Sequence, residues 1–294
     1  MTATAASDNT ARPLWRKVWE FPLVAMVVAL VLLGLTLWAM QWVLYWAVPA
    51  GLDPNIDAVV RGLAGVGAVF AVYKLLIVRL GREKRDDLPL AGALGDTALG
   101  LGAGAAIFAV VVAVAAVLGV YRVFGWGTLE GWLPFFMAGG VVAGFVEEVI
   151  FRGILFRWIE EFAGSWAALV VSSALFGLAH WANPNATPFS SLAIAIEAGI
   201  LLGGAYMLTR SLWLAIGIHA GWNLTQGLVF DVSVSGLEVD GVVEAGLKGS
   251  DLLTGGAFGL EASVIALVVA TAAGVWLVLQ AKKEGNVIAP MWRR

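Results

Sequence analysis

The chain has 294 residues, of which 60% are hydrophobic and only 13% are charged, with a formal net charge of −3. A soluble domain carries about 25% charged residues, so this composition is typical of a membrane protein with several apolar helices. The absence of cysteine excludes disulfides, thiolate nucleophiles and cysteine-bound metals.

Apolar windows of about 20 residues recur along the chain and predict an all-α, polytopic membrane helical bundle with about eight transmembrane helices. The predicted spans are 23–47, 58–80, 94–120, 134–161, 165–182, 190–209, 211–230 and 257–281. The first span is too long for the apolar part of a signal peptide, and we interpret it as a retained helix. Residues 1–11 are predicted to form a polar, disordered tail.

The spans divide the chain into five segments. These are a cytoplasmic tail at 1–20, three N-terminal transmembrane helices at 21–125, a four-helix core at 126–230, an acidic loop at 231–256, and a last transmembrane helix with a cytoplasmic tail at 257–294.

Lysine and arginine positions orient these spans, because cytoplasmic loops carry an excess of both. The side predicted to be non-cytoplasmic receives only Arg61, Arg122 and Lys248. The side predicted to be cytoplasmic receives Arg12, Arg16, Lys17, Arg79, Arg82, Lys84, Arg85, Arg157, Arg210, Lys282, Lys283, Arg293 and Arg294. We therefore predict that both termini are cytoplasmic and that the 231–256 loop lies on the opposite side.

Both histidines of the chain lie inside apolar segments. They occur in Phe176-Gly-Leu-Ala-His180 and in His219-Ala-Gly-Trp-Asn223. Residues four apart share a helix face, so His219 and Asn223 project together and Phe176 can pack beside His180. An ionisable side chain at the centre of a bilayer costs about 3 kcal/mol, which makes a functional role the first hypothesis.

Two adjacent carboxylates precede the histidines. Glu148 and Arg152 are four residues apart and can form an ion pair within one helix, whereas Glu147 points about 100° away. If the fourth span continues to Glu161, Glu147 and His180 both lie about 21–22 Å from the predicted cytoplasmic ends of their helices at 1.5 Å per residue. Asn223 then lies about 18 Å deep, so these three residues converge near mid-bilayer, and His219, at about 12 Å, lies within a turn or two of them.

Water activation is the chemistry that suits these residues. A carboxylate beside an imidazole can remove a proton from water as it attacks a carbonyl, and a second imidazole with an amide NH₂ can stabilise the oxyanion. A zinc site formed by Glu147, His180 and His219 is a second hypothesis, although the His-Glu-x-x-His helix of soluble metalloproteases is absent.

Purely structural interpretations of these residues remain open beside the catalytic and zinc hypotheses. Each histidine alone can be a simple helix–helix contact, and Glu148 with Arg152 can be a purely structural ion pair. Glu197, inside the sixth span, has no obvious partner and can line the same cavity or pair with Arg152. Two other function classes are a non-catalytic membrane scaffold or immunity factor, and an ion-coupled transporter, for which inverted repeats and broken helices are missing.

The ordered set of motifs resembles the CPBP family, the intramembrane proteases related to type II CAAX prenyl endopeptidases and to bacteriocin-processing and immunity proteins. The motifs lie within about residues 130–230 and read Glu147-Glu148-x-x-x-Arg152, Phe176-x-x-x-His180 and His219-x-x-x-Asn223.

The resemblance implies a catalytic core at 126–230 that hydrolyses a peptide bond of a membrane-associated substrate, either CAAX-like or a leader peptide. It implies that Glu147 is the general base and that His180 helps to hold the attacking water. It implies that His219 and Asn223 stabilise the oxyanion. Glu148 and Arg152 would support them.

The cofactor remains open: the protein uses either a divalent metal such as zinc or no cofactor. The expected partners are the substrate and the lipid bilayer, with no nucleic acid, and the composition suits a bacterial inner membrane.

Overall fold

The computed structural model describes residues 13–294, so Arg12 and the predicted polar tail at 1–11 lie outside it. The described residues form a helical bundle with a two-stranded sheet, which confirms the predicted fold class. In chain order the elements are α1 Leu14–Trp19, α2 Pro22–Ala47, α3 Pro54–Leu75, α4 Ala93–Val117, β1 Tyr121–Trp126, α5 Trp132–Ala163, α6 Ser165–Ala179, α7 Pro188–Thr209, α8 Trp213–Leu224, β2 Val243–Leu247, α9 Asp251–Thr254 and α10 Val264–Lys283.

Within residues 13–294, seven helices are long and apolar enough to cross a membrane: α2 to α7 and α10. Their outer faces expose large apolar side chains such as Trp38, Trp42, Val117, Val170 and Trp276, as expected of a surface in contact with lipid. The chain is therefore a multi-pass membrane protein.

The predicted span at 211–230 is a shorter element. It consists of the 12-residue helix α8 and the five π-helical residues Thr225–Val229. Every residue of α8 from Leu214 to Asn223 is buried, so this helix lies inside the bundle and is enclosed by the others. Because its neighbours cover it, α8 does not need the full length of a helix that faces lipid.

Local sequence fixes the start of several helices. Asp53 accepts hydrogen bonds from the backbone N–H groups of Asn55 and Ile56 at the start of α3. Thr187 and Ser190 form a reciprocal capping box at the start of α7. These side chains satisfy N–H groups that have no partner within the helix.

Small residues bring α4 and α8 into close contact. A Cβ on Gly100 would lie 2.8 Å from the Cα of Gly217, and a Cβ on Gly104 would lie 2.2 Å from the carbonyl oxygen of Ile218. On the facing helix, a Cβ on Gly221 would lie 2.3 Å from the carbonyl oxygen of Leu101. Glycine at these positions lets the two backbones touch, as is common in membrane bundles.

A buried charge network holds the 81–92 connection against the bundle. Asp87 is fully buried and accepts hydrogen bonds from the hydroxyls of Tyr73 at 2.8 Å and Tyr206 at 3.2 Å. Arg85 and Arg157 form ion pairs with the same carboxylate. Because buried charges need partners, this network fixes where α3, α5 and α7 end relative to one another.

The segment predicted as an acidic loop, 231–256, contains strand β2, which pairs antiparallel with β1 from Tyr121↔Leu247 to Trp126↔Val243. Asp231 organises its start by accepting hydrogen bonds from the backbone N–H groups of Gly241 and Ala245, both at 2.9 Å. After β2 the chain folds back toward the core before α10 begins.

Candidate active site

Helix α5 carries the two adjacent glutamates in an α-helical stretch, Ala143–Glu148, that lies between two π-helical stretches, Phe136–Val142 and Val149–Phe156. A π-helical turn widens the helix and is frequent at functional sites. Gly144 lets α5 approach α8 closely, since a Cβ there would lie 3.2 Å from the carbonyl oxygen of Ile216.

His180 directly follows α6, and its Nδ1 lies 2.8 Å from the carbonyl oxygen of Phe176. A carbonyl oxygen only accepts hydrogen bonds, so Nδ1 carries the proton and Nε2 of the neutral ring is an acceptor. The Phe176 ring lies against the imidazole with a centroid distance of 4.5 Å. The ring is thus held in one orientation by a hydrogen bond and a tilted aromatic neighbour.

His219 is tied to the Glu148–Arg152 ion pair. Its Nδ1 donates to Oε1 of Glu148 over 2.9 Å, and Nη1 of Arg152 donates to the same oxygen over 2.8 Å. Arg152 also donates to the carbonyl oxygen of Ala198 and lies over the Phe176 ring. The predicted pair of Glu148 and Arg152 is therefore present, and it is linked to an imidazole on another helix.

Glu147 faces both imidazoles. Its Oε2 lies 3.9 Å from Nε2 of His180 and 4.0 Å from Nε2 of His219. The side chain is 31% exposed, while Oε2 itself is buried and has no hydrogen-bond partner among the described residues. Helices α5, α6 and α8 thus bring one carboxylate and two imidazoles to a single point.

Asn223 lies one turn after His219 and donates from Nδ2 to the carbonyl oxygen of Gly139 over 2.9 Å. It lines, together with both histidines, a partly open pocket. Glu147 is not part of this lining, although its Oε2 contacts the edges of the two histidine rings that are.

Two further carboxyl groups, Glu197 and Glu261, line the same pocket. In the sequence, Glu197 stands out as a carboxylate within a predicted span. It forms no ion pair with Arg152, because Arg152 binds Glu148 and the backbone carbonyl of Ala198. The sequence contained no signal for Glu261, because its place in the pocket depends on how the 231–262 segment folds back.

The zinc hypothesis for Glu147, His180 and His219 stays a prediction. Within residues 13–294, no group of three or more His, Asp and Glu side chains is arranged so that it could hold a metal ion. The separations of about 4 Å between Glu147 and the two rings instead match atoms that can share one water molecule.

Fold and site together define a multi-pass membrane protein with a buried acid–imidazole centre. A family model described as "Type II CAAX prenyl endopeptidase Rce1-like" matches residues 129–225, about a third of the chain. This segment contains Glu147, Glu148, Arg152, His180, His219 and Asn223, and the resemblance inferred from the motifs is confirmed over it. The matched family is a protease family, which favours a hydrolase. No curated protein and no solved structure matches the chain.

Proposed function

We propose that this protein is an intramembrane endopeptidase that hydrolyses a peptide bond of a membrane-associated protein or peptide. The observation that carries the proposal is the position of Glu147 Oε2, about 4 Å from Nε2 of both His180 and His219. A carboxylate and an imidazole acceptor at this spacing can bind the two hydrogens of one water molecule.

In the proposed reaction, Glu147 and His180 accept hydrogen bonds from the attacking water, so an oxygen lone pair is directed at the substrate carbonyl. The water oxygen bonds to the carbonyl carbon while Glu147 takes the proton. When the tetrahedral intermediate collapses, Glu147 returns that proton to the amide nitrogen and the C–N bond breaks. No other side chain described here combines a free carboxylate oxygen with two facing imidazoles.

In the proposed reaction, His219 and Asn223 stabilise the oxyanion. The Nδ1 proton of His219 is bound by Glu148, whose negative charge favours the imidazolium form and hence a proton on Nε2. Asn223 uses one of its two amide protons for the Gly139 carbonyl, which leaves the other free for the substrate. Donors fixed before the reaction are the most effective oxyanion stabilisers.

The decisive experiment compares membrane-peptide termini in cells that express the wild type or Glu147→Gln. We expect uncleaved precursors to accumulate with Glu147→Gln, because the variant keeps the shape of the side chain and removes the base. Glu244→Gln, an exposed carboxylate on β2, is the matched control and should process these precursors normally. Identical termini in all three strains would contradict catalysis and favour the scaffold or immunity-factor function.

The mechanism contains no metal step. We therefore expect cleavage by the purified protein to withstand a chelator and elemental analysis to find less than one metal per chain. A chelator-sensitive activity with stoichiometric zinc would overturn this part of the proposal and restore the site of Glu147, His180 and His219.

We further propose a bacterial inner-membrane location with both termini cytoplasmic, in which α8 with Thr225–Val229 is an eighth crossing beside the seven long helices. The support is the distribution of lysine and arginine among the connections, which places the large excess on the side of the two termini. Accessibility of reporter tags at both termini to protease, measured in inverted vesicles and in spheroplasts, tests this orientation. Digestion of either tag in spheroplasts would contradict it.

A further inference from the structure

The pocket beside the catalytic centre has apolar walls and an acidic interior. Ile194, Leu201, Ile218 and Trp222 are among the side chains that form the walls. His180 and His219 also line it, so a group bound in the pocket lies next to the proposed reaction centre. The pocket is partly open, so a substrate side chain can enter it.

Glu197 lines this pocket with an unpaired carboxyl group. The residue is 2% exposed, and its Oε2 is buried without a hydrogen-bond partner. Among residues 13–294 no lysine or arginine forms an ion pair with it, and the charged group that acts on it is another carboxyl, that of Glu261. A buried polar group without a partner is costly unless a ligand satisfies it.

Glu261 approaches the same pocket from the segment that precedes α10. Its Oε1 accepts hydrogen bonds from the backbone N–H of Ser235 at 2.7 Å and from the Ser235 hydroxyl at 3.0 Å. Burial raises the pKa of Glu261 to about 7, although the hydrogen bonds from Ser235 oppose this shift. A positive charge in the pocket would favour the ionised form of both carboxyl groups.

We propose that this pocket is a specificity subsite in which Glu197 and Glu261 bind the cationic side chain of a substrate lysine or arginine. The inference rests on the proposed peptidase function and extends it to a class of substrate. The aliphatic stem of such a side chain suits the apolar walls, and its charged end supplies hydrogen-bond donors to two carboxyl groups. Because the pocket adjoins His180 and His219, the bound residue lies close to the scissile bond.

Binding of small probes tests the subsite without a known substrate. Thermal unfolding of the purified full chain is measured against concentration of n-butylammonium, butan-1-ol and tetramethylammonium. We expect n-butylammonium to stabilise the wild type at concentrations at least about tenfold lower than the other two, since only it combines a stem with charged donors. Glu197→Gln should reduce this preference to near one, whereas Glu244→Gln should retain it.

Equal effects of n-butylammonium and butan-1-ol on the wild type would overturn the proposal, as would a preference that survives in both Glu197→Gln and Glu261→Gln. The wild-type comparison decides even if a variant does not fold. Once a substrate is known, replacing its lysine by norleucine should reduce cleavage by the wild type at least about tenfold. Glu147→Gln distinguishes the two proposals, because it should lose cleavage and keep the preference for n-butylammonium.

Discussion

His219 and Glu148 are joined by a 2.9 Å hydrogen bond from Nδ1 to Oε1, and that same oxygen accepts a hydrogen bond from Arg152. One buried atom therefore both orients the imidazole on α8 and neutralises a guanidinium on α5. We expect both the orientation of the His219 ring and the stability of the bundle to depend on this one carboxylate.

Replacement of Glu148 by glutamine should damage both properties. Arg152 is fully buried and would lose its charge partner, which typically costs about 3–5 kcal/mol. The imidazolium of His219 would lose the negative charge that favours it, and we expect peptide cleavage to fall by about 10²-fold or more. Thermal unfolding and turnover by the purified variant measure the two effects.

The double variant Glu148→Gln/Arg152→Met separates them. With no unpaired guanidinium left, most of the lost stability should return while cleavage stays low. If cleavage returned together with stability, Glu148 would be a structural residue only.

The close contact between α4 and α8 helps to position His219, which lies on α8. Gly104→Ala would place a methyl group 2.2 Å from the carbonyl oxygen of Ile218, so the helices must separate. Overpacking of this kind costs about 1–3 kcal/mol. Gly102→Ala is the matched control, because a Cβ at Gly102 meets no atom within 4 Å. Equal unfolding temperatures for both variants would show that the close contact is not needed.

Glu261 should make stability depend on pH. Its pKa is raised from its ordinary value of 4.5 to about 7 by burial, in a pocket where Glu197 and His219 face it. Since the folded state favours the protonated form, its contribution is fully present below pH 4.5 and is lost as pH rises through about 7. Wild-type unfolding temperature should therefore fall across this interval more steeply than that of Glu261→Gln. Parallel curves would show that Glu261 does not titrate there.

Apolar run length was sufficient to predict the bundle, because each long span is a continuous stretch of hydrophobic sequence. Helical spacing likewise anticipated the Glu148–Arg152 pair and the packing of Phe176 beside His180, since both are contacts between residues four apart. The sequence also indicated that Glu147 and His180 lie at similar depth, although depth alone does not fix a distance.

Features that depend on distant parts of the chain were not predictable in this way. The link from His219 to Glu148 joins residues on different helices, and the π-helical stretches around Glu147 follow from packing. Glu261 reaches the pocket only because the segment after β2 folds back and Ser235 binds its carboxyl group. No local pattern encodes any of these contacts.

Cross-linking between Glu147→Cys and His180→Cys tests the central claim most directly, namely that α5 and α6 bring these two side chains to one point. The natural chain has no cysteine, so each introduced pair reports alone. In native membranes, a short bifunctional thiol reagent should link this pair efficiently, and should fail to link Glu147→Cys with Val170→Cys, an exposed position on the same α6. Absence of the first cross-link, or equal yields for both pairs, would contradict the account.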